Sequence, residues 1–209
     1  MLFLETIAPA TLDLLRRLQS EPMLQDTRLV GGTSLALQLG HRMSIDLDMF
    51  GKWDYVANLQ RALEKIGRTE KQSGTPDGKM QFFYIDDVKV DFVSCEEYAW
   101  LENPVCIDGV RLAGIRDIGA MKINAITNRG TRKDFVDLAR LLDEWTMKEI
   151  FGWYVKKYPL ANPALALRSL SYFADAEAQP MPKMLIPFDW DAAVAKIRNA
   201  VREFVTSIR

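Results

Sequence analysis

Apolar and polar positions along the chain follow two periods, and the change from one to the other divides it. Residues 6–19 carry Ile7, Leu12, Leu14, Leu15 and Leu18 at helical spacing, which predicts a helix starting at Thr11 or slightly earlier. "RLVGG", 28–32, reads as a short strand ending in glycines, and "TSLALQLG", 33–40, as a short helix stopped by Gly40. In "SIDLDMF", 44–50, Ile45, Leu47 and Met49 alternate with Ser44, Asp46 and Asp48, which predicts a strand with its apolar side chains on the core. Residues 54–66 predict an amphipathic helix closed by Gly67. "RTEKQS", "KMQFFYID" and "VKVDFVS" then predict three strands, with turns at "GTPDG" and around 85–87. From about Ile115 the period is helical: 116–129 and 132–145 with Gly130 between them, then 147–157, 163–174 and 189–207. The proline-rich stretch 179–188 predicts a loop. This layout gives an α+β fold class, with a mixed α/β part over 1–114 and a helical part over 115–209.

Composition narrows the function classes. The chain has 209 residues, 48% of them hydrophobic and 26% charged, enough apolar surface for a sizeable core. A net charge of −1 excludes a general polycation, so nucleic acid would need a local basic patch. No apolar run is long enough to cross a membrane, and the first residues lack a basic signal region, so a cytoplasmic location with no membrane partner is expected. Cys95 and Cys106 are read as reduced, structural thiols, with a disulfide between them as the alternative. One histidine, His41, excludes multi-histidine metal sites.

The candidate chemistry starts from Asp46 and Asp48. On a strand they share a face, with Cα atoms roughly 6–7 Å apart. Two like charges that close repel unless a cation lies between them, and magnesium takes oxygen ligands of this kind. Asp91, inside the run "VKVDFV", is a third carboxylate on a second strand, where a charge is costly without a partner. Three such acids suit a two-metal phosphoryl-transfer site. Taken alone, Asp46 and Asp48 fit a solvated strand face better, since so short a pattern is common. Three other stretches add weight. "VGGTS", 30–34, puts Gly31, Gly32, Thr33 and Ser34 at a strand-to-helix junction suited to a phosphate. Lys122 is a cation in an apolar helical stretch, and "RGTRKDFVDL" brings Arg129, Arg132 and Lys133 beside Asp134 and Asp137. The ordinary readings of these stretches are a capped turn, a snorkelling lysine and an acid-rich helix start.

As a set, "LVGGTSLALQLGHRMSIDLDMF", "KVDFV" and "DIGAMKINAITNRGTRKDFVDLARLL" resemble the AbiEii/AbiGii nucleotidyltransferase toxin family over about residues 28–142. The resemblance implies a polymerase-β-like nucleotidyltransferase fold, a mixed-sheet core with a helical C-terminal half closing the nucleotide site. It implies a metal-dependent enzyme that moves a nucleoside monophosphate from a triphosphate to an acceptor hydroxyl, RNA or tRNA among them. The metal would be magnesium, two ions, with manganese as substitute. It further implies a toxin of a toxin–antitoxin or phage-defence pair, with a cognate antitoxin as partner. By position, Asp46, Asp48 and Asp91 would hold metal, and Gly31, Gly32, Thr33 and Ser34 the triphosphate. Lys122 and Lys133 would contact phosphates, and Asp134 would complete the catalytic set. Arg42 would neutralise transition-state charge or pair with an aspartate. Arg129, Arg132, Lys133, Lys156, Lys157 and Arg168, with Trp153, Tyr154, Tyr158 and Tyr172, would either bind a nucleic-acid strand or build a helical core. The competing reading is an inert member of the same fold that binds a nucleotide or partner without chemistry.

Overall fold

The computed structural model describes residues 1–53, 56–94 and 99–207. Cys95 and the first two residues of the helix expected from 54 fall outside them. In chain order the elements are α1 (Pro9–Ser20), β1 (Arg28–Leu29), α2 (Gly31–Leu39), β2 (Leu47–Gly51), α3 (Val56–Ile66), β3 (Thr69–Gly74), β4 (Met80–Ile85), β5 (Val88–Ser94), β6 (Val105–Ile107) and β7 (Val110–Leu112). The helices α4 (Ile115–Asn128), α5 (Arg132–Leu141), α6 (Met147–Lys157), α7 (Pro163–Ser169), α8 (Ala174–Glu177) and α9 (Trp190–Ser207) follow. They form two compact units, Met1–Ala99 with Asn103–Gly114, and Trp100–Glu102 with Ile115–Arg209.

The first unit is a seven-stranded mixed sheet in the order β3-β4-β5-β2-β1-β7-β6. Strands β2 and β5 run parallel, while β3, β4 and β5 form an antiparallel meander. Side-chain alternation separates the two faces. Leu47 and Met49 of β2, Phe83 and Ile85 of β4, and Val90 and Phe92 of β5 are fully buried. They share one core with Leu14, Leu15 and Leu18 of α1 and Leu59 and Leu63 of α3. Each such side chain contributes about 2 kcal/mol by leaving water. The opposite face carries the charged residues of interest.

Local geometry explains the element ends. Gly40 closes α2 at φ 68°, a left-handed conformation that suits glycine, and the Phe3 ring packs against it. Asp86 and Asp87 turn β4 into β5 with positive φ at both positions. Several features differ from the sequence reading: Gly31 and Gly32 open α2 and do not end the strand, and the helix expected over 163–174 is α7 to Ser169 with a separate α8 from Ala174. Ile45 is 70% exposed, because the ladder begins only at Leu47 and residue 45 precedes it. Strands β6 and β7 are additional, a hairpin around Asp108–Gly109 with positive φ at both residues. Cys106 sits exposed on β6 and is no part of the core.

In the second unit α4, α5 and α6 bury Ile118, Ile123, Phe135, Leu138, Ile150 and Tyr154. A capping box of Thr146 and Glu149 starts α6, and the Asn162 side chain caps α7. Lys157 donates to Asp117 at 2.7 Å, and Asp117 also accepts the backbone N–H groups of Leu101 and Glu102, which ties 100–102 to these helices. No helix among the described residues is long and apolar enough to cross a membrane.

Candidate active site

The sheet face opposite the core is set by strand register. Asp48 of β2 lies directly beside Asp91 of β5, and Asp91 directly beside Phe82 of β4. One turn earlier in the chain, α2 starts at Gly31 against the same acid row. Val30, its N-cap residue, has no side-chain acceptor for the first N–H groups of the helix. Gly31 has φ 67°, and a β-carbon there would collide with the Asp48 carboxylate. A β-carbon on Gly32 would collide with the Arg42 guanidinium. The two glycines therefore let the helix start approach both the acid and the arginine.

The hydroxyls of the same turn are committed inward. Thr33 is buried, and its hydroxyl bonds to Ser44 Oγ at 2.8 Å and to the Asp46 carbonyl oxygen. Ser34 is buried and bonded to the Gln38 amide. Thr33 ties α2 to the segment before β2, whereas the Ser34 bond stays within α2. Arg42 is also buried and donates to the Met43 carbonyl at 2.9 Å.

Lys89, which the sequence reading passed over, adds a cation to this face. It stands two residues before Asp91, on the same side of β5, and its Nζ lies 2.7 Å from Asp91 Oδ2. Partial burial pulls its pKa down, but the bond to Asp91 and the attraction of Asp91, Asp46 and Asp48 outweigh this and hold it above the ordinary lysine value. Period-two alternation was the available signal. Asp91 Oδ1 is buried without a hydrogen-bond partner. Among the described residues, no three carboxylate, thiol or imidazole groups converge into a ready cation cage. Asp46, Asp48 and Asp91 thus share a neighbourhood without closing on one point. Their oxygen donors and the orphaned Oδ1 fit a hard divalent cation.

Lys122, Asp134 and Lys133 lie in the second unit. Lys122 is 3% exposed on α4 and reaches Asp134 Oδ1 at 3.0 Å and Asp137 Oδ2 at 2.6 Å. Asp134 also accepts from Arg129 Nε at 3.1 Å and Thr131 Oγ1 at 2.6 Å. Burial pushes the Asp134 carboxyl up, but the Lys122 charge, Arg129 and Thr131 outweigh it and hold its pKa at about 2. Lys133 is exposed on α5. The helical-core reading holds for several aromatics and basic residues. Tyr154 is buried against Phe151 and Tyr158, Trp153 stacks edge-on with Trp145, and Lys157 is buried on Asp117. Arg132 is spent on the Ala176 and Glu177 carbonyls and the Trp190 ring.

A family model described as nucleotidyl transferase AbiEii toxin, type IV toxin–antitoxin system, matches residues 13–206. The chain belongs to this family. Protein aq_aa25 of Aquifex aeolicus is 31% identical over 198 residues, covering 91% of this chain and 94% of that protein. Among solved structures, the nucleotidyltransferase toxin MenT4 of Mycobacterium tuberculosis superposes with a TM-score of 0.54 at 16% identity, covering 92% of this chain and 80% of that one. JHP933 of Helicobacter pylori gives 0.54 at 15% identity, covering 94% and 92%. These likenesses show a nucleotidyltransferase fold for this AbiEii chain, and the family model makes it a member of a nucleotidyltransferase toxin family.

Proposed function

We propose that this AbiEii protein transfers a nucleoside monophosphate from a nucleoside triphosphate to an acceptor hydroxyl, with divalent metal. The observation that carries the reading is the α2 start resting on Asp48, beside Asp91 in register. The backbone N–H groups of Gly31 and Gly32, at the positive end of α2, bind the triphosphate. Arg42, held beneath Gly32, adds positive charge where the transition state gathers negative charge. Asp91 orients the acceptor hydroxyl and takes its proton. Magnesium held by Asp46, Asp48 and Asp91 would supply charge neutralisation and a more acidic acceptor hydroxyl. In this proposal Lys122 and Asp134, bonded to each other and to Asp137 and Arg129, hold α4 and α5 together, in place of the phosphate and catalytic roles that their motif implies.

RNA is the acceptor in this proposal, and the cell would hold a cognate antitoxin. The test is a labelling assay with magnesium, each of the four α-labelled triphosphates in turn, and total RNA. The Asp46→Asn/Asp48→Asn double variant serves as control. Label on RNA with the wild type alone supports the reading. No transfer and no pyrophosphate release from any triphosphate refutes it.

A further inference from the structure

Strand order decides from which side an acceptor must arrive. In-line displacement places the attacking hydroxyl and the leaving pyrophosphate on opposite sides of the α-phosphorus. The pyrophosphate end belongs at the α2 start, which follows β1 and sits against Asp48. Strands β5 and β4 lie on the other side of β2 from β1. The acceptor therefore comes in over Asp91 and the strand next to it.

That strand is unusually apolar on its open side. Gln81, Phe83 and Ile85 of β4 are buried on the core face, so Met80, Phe82 and Tyr84 share the face of Asp91. A sheet face turned to water normally carries polar residues. Here Tyr84 is 40% exposed, Met80 is 42% exposed and Phe82 is half-buried. Register puts Phe82 opposite Asp91 and Tyr84 opposite Lys89, with strands about 4.8 Å apart. Phe82 and Tyr84 are about 6.7 Å apart along β4, room for one or two rings. Beyond them Ser73 and Glu70 of β3 end the aromatic strip.

The geometry points to Phe82 and Tyr84 as a stacking platform for the unpaired terminal base of a nucleic-acid acceptor. A hydroxyl held at Asp91 with a planar group one strand away describes a nucleotide, whose sugar and base are separated by about that distance. A serine side chain or a polyol places no ring there. A base inside a duplex has both faces already stacked, so the platform selects a single-stranded end. Lys89, between the acids and Tyr84, adds a cation beside the incoming backbone. This inference rests on the nucleotidyl-transfer reading and adds the acceptor's recognition to it.

The test measures two affinities on the full-length protein. Fluorescence anisotropy reads binding of an unstructured 3′-ended RNA oligonucleotide, its DNA counterpart, and a blunt hairpin of the same base composition. Calorimetry reads triphosphate binding in parallel. Tyr84→Leu and Phe82→Leu keep apolar bulk and remove the aromatic face. The platform predicts that wild type prefers both single strands to the hairpin. It also predicts that each variant weakens single-strand binding by about 5-fold or more, the stacking contribution of a base on an aromatic ring. Triphosphate affinity should stay at the wild-type value. Unchanged oligonucleotide affinity in both variants, or equal binding of hairpin and single strand, overturns the platform. Absence of triphosphate binding in the wild type instead overturns the nucleotidyl-transfer reading beneath it.

Discussion

Asp46, Asp48 and Asp91 on the open sheet face share Lys89, whereas Asp134 and Asp137 of α5 share Lys122, and Asp134 also takes Arg129. Both groups set carboxylates around a lysine, but they are finished differently. In the helical unit two acids meet two cations and a hydroxyl, and Lys122 is sealed from water. On the sheet three acids act on a lysine that is 42% exposed, and one buried carboxylate oxygen has no partner. A buried polar atom without compensation is costly, so the orphaned Asp91 oxygen is suited to accept a cation. In the proposed function the closed cluster holds helices and the open one carries the chemistry.

The sharpest way to break this contrast is Asp48→Asn. Turnover should fall by on the order of 10³-fold, while the thermal midpoint holds or rises because one repelling charge is removed. Retained turnover would strip the sheet cluster of its role. Lys122→Met should do the reverse and cost about 3–5 kcal/mol in urea unfolding, since it leaves buried carboxylates facing each other. If that variant unfolds like wild type and loses only turnover, Lys122 belongs with the substrate contacts and the contrast collapses.

A smaller effect follows from Asp134. Its folded pKa of about 2 lies below the ordinary aspartate value, so the stability it supplies is present above about pH 4 and is lost as pH falls toward 2. The loss should amount to about 2 kcal/mol, read by unfolding at stepped pH, and Asp134→Asn should remove that step. The smallest effect is Lys89→Met. Removing a partly exposed ammonium that competes for Asp91 should tighten manganese binding by about 5-fold or less, measured by direct titration. Weaker binding would mean that Lys89 helps to shape the cation site.

The elements that carry this contrast were largely readable from period and punctuation. Gly40, Gly67 and the Asp86–Asp87 turn sit where chain reversal or helix closure demands them, so α2, α3 and the β4–β5 hairpin were all expected. The acids of the site stood out because charge is rare inside "VKVDFV" and "SIDLDMF". Other features were hidden for physical reasons. The hairpin of β6 and β7 has three-residue strands, too short to show a period, although its Asp108–Gly109 turn was a signal in itself. Ile45 follows the alternation of β2 but precedes its first ladder pair, and only the partner strand decides where pairing begins. The inward hydroxyl of Thr33 depends on Ser44 and Asp46 being nearby, which spacing alone does not show, whereas the Ser34–Gln38 bond is an ordinary i,i+4 pair. Lys89 was passed over although period-two alternation puts it on the Asp91 side of β5, because the acids of the neighbouring chain segment that also act on it are not visible in spacing.

The outermost strand β3 has a consequence of another kind. A sheet that ends in a bare backbone edge is a template on which further chains can pair. Here the edge is polar and exposed from Glu70 to Gly74, carries Lys71, and slips register between Lys71 and Ser73. A strand arriving from another molecule would meet charge and a broken ladder. The aromatic strip one strand inward can thus stay open to water without seeding fibrous growth when the protein is concentrated.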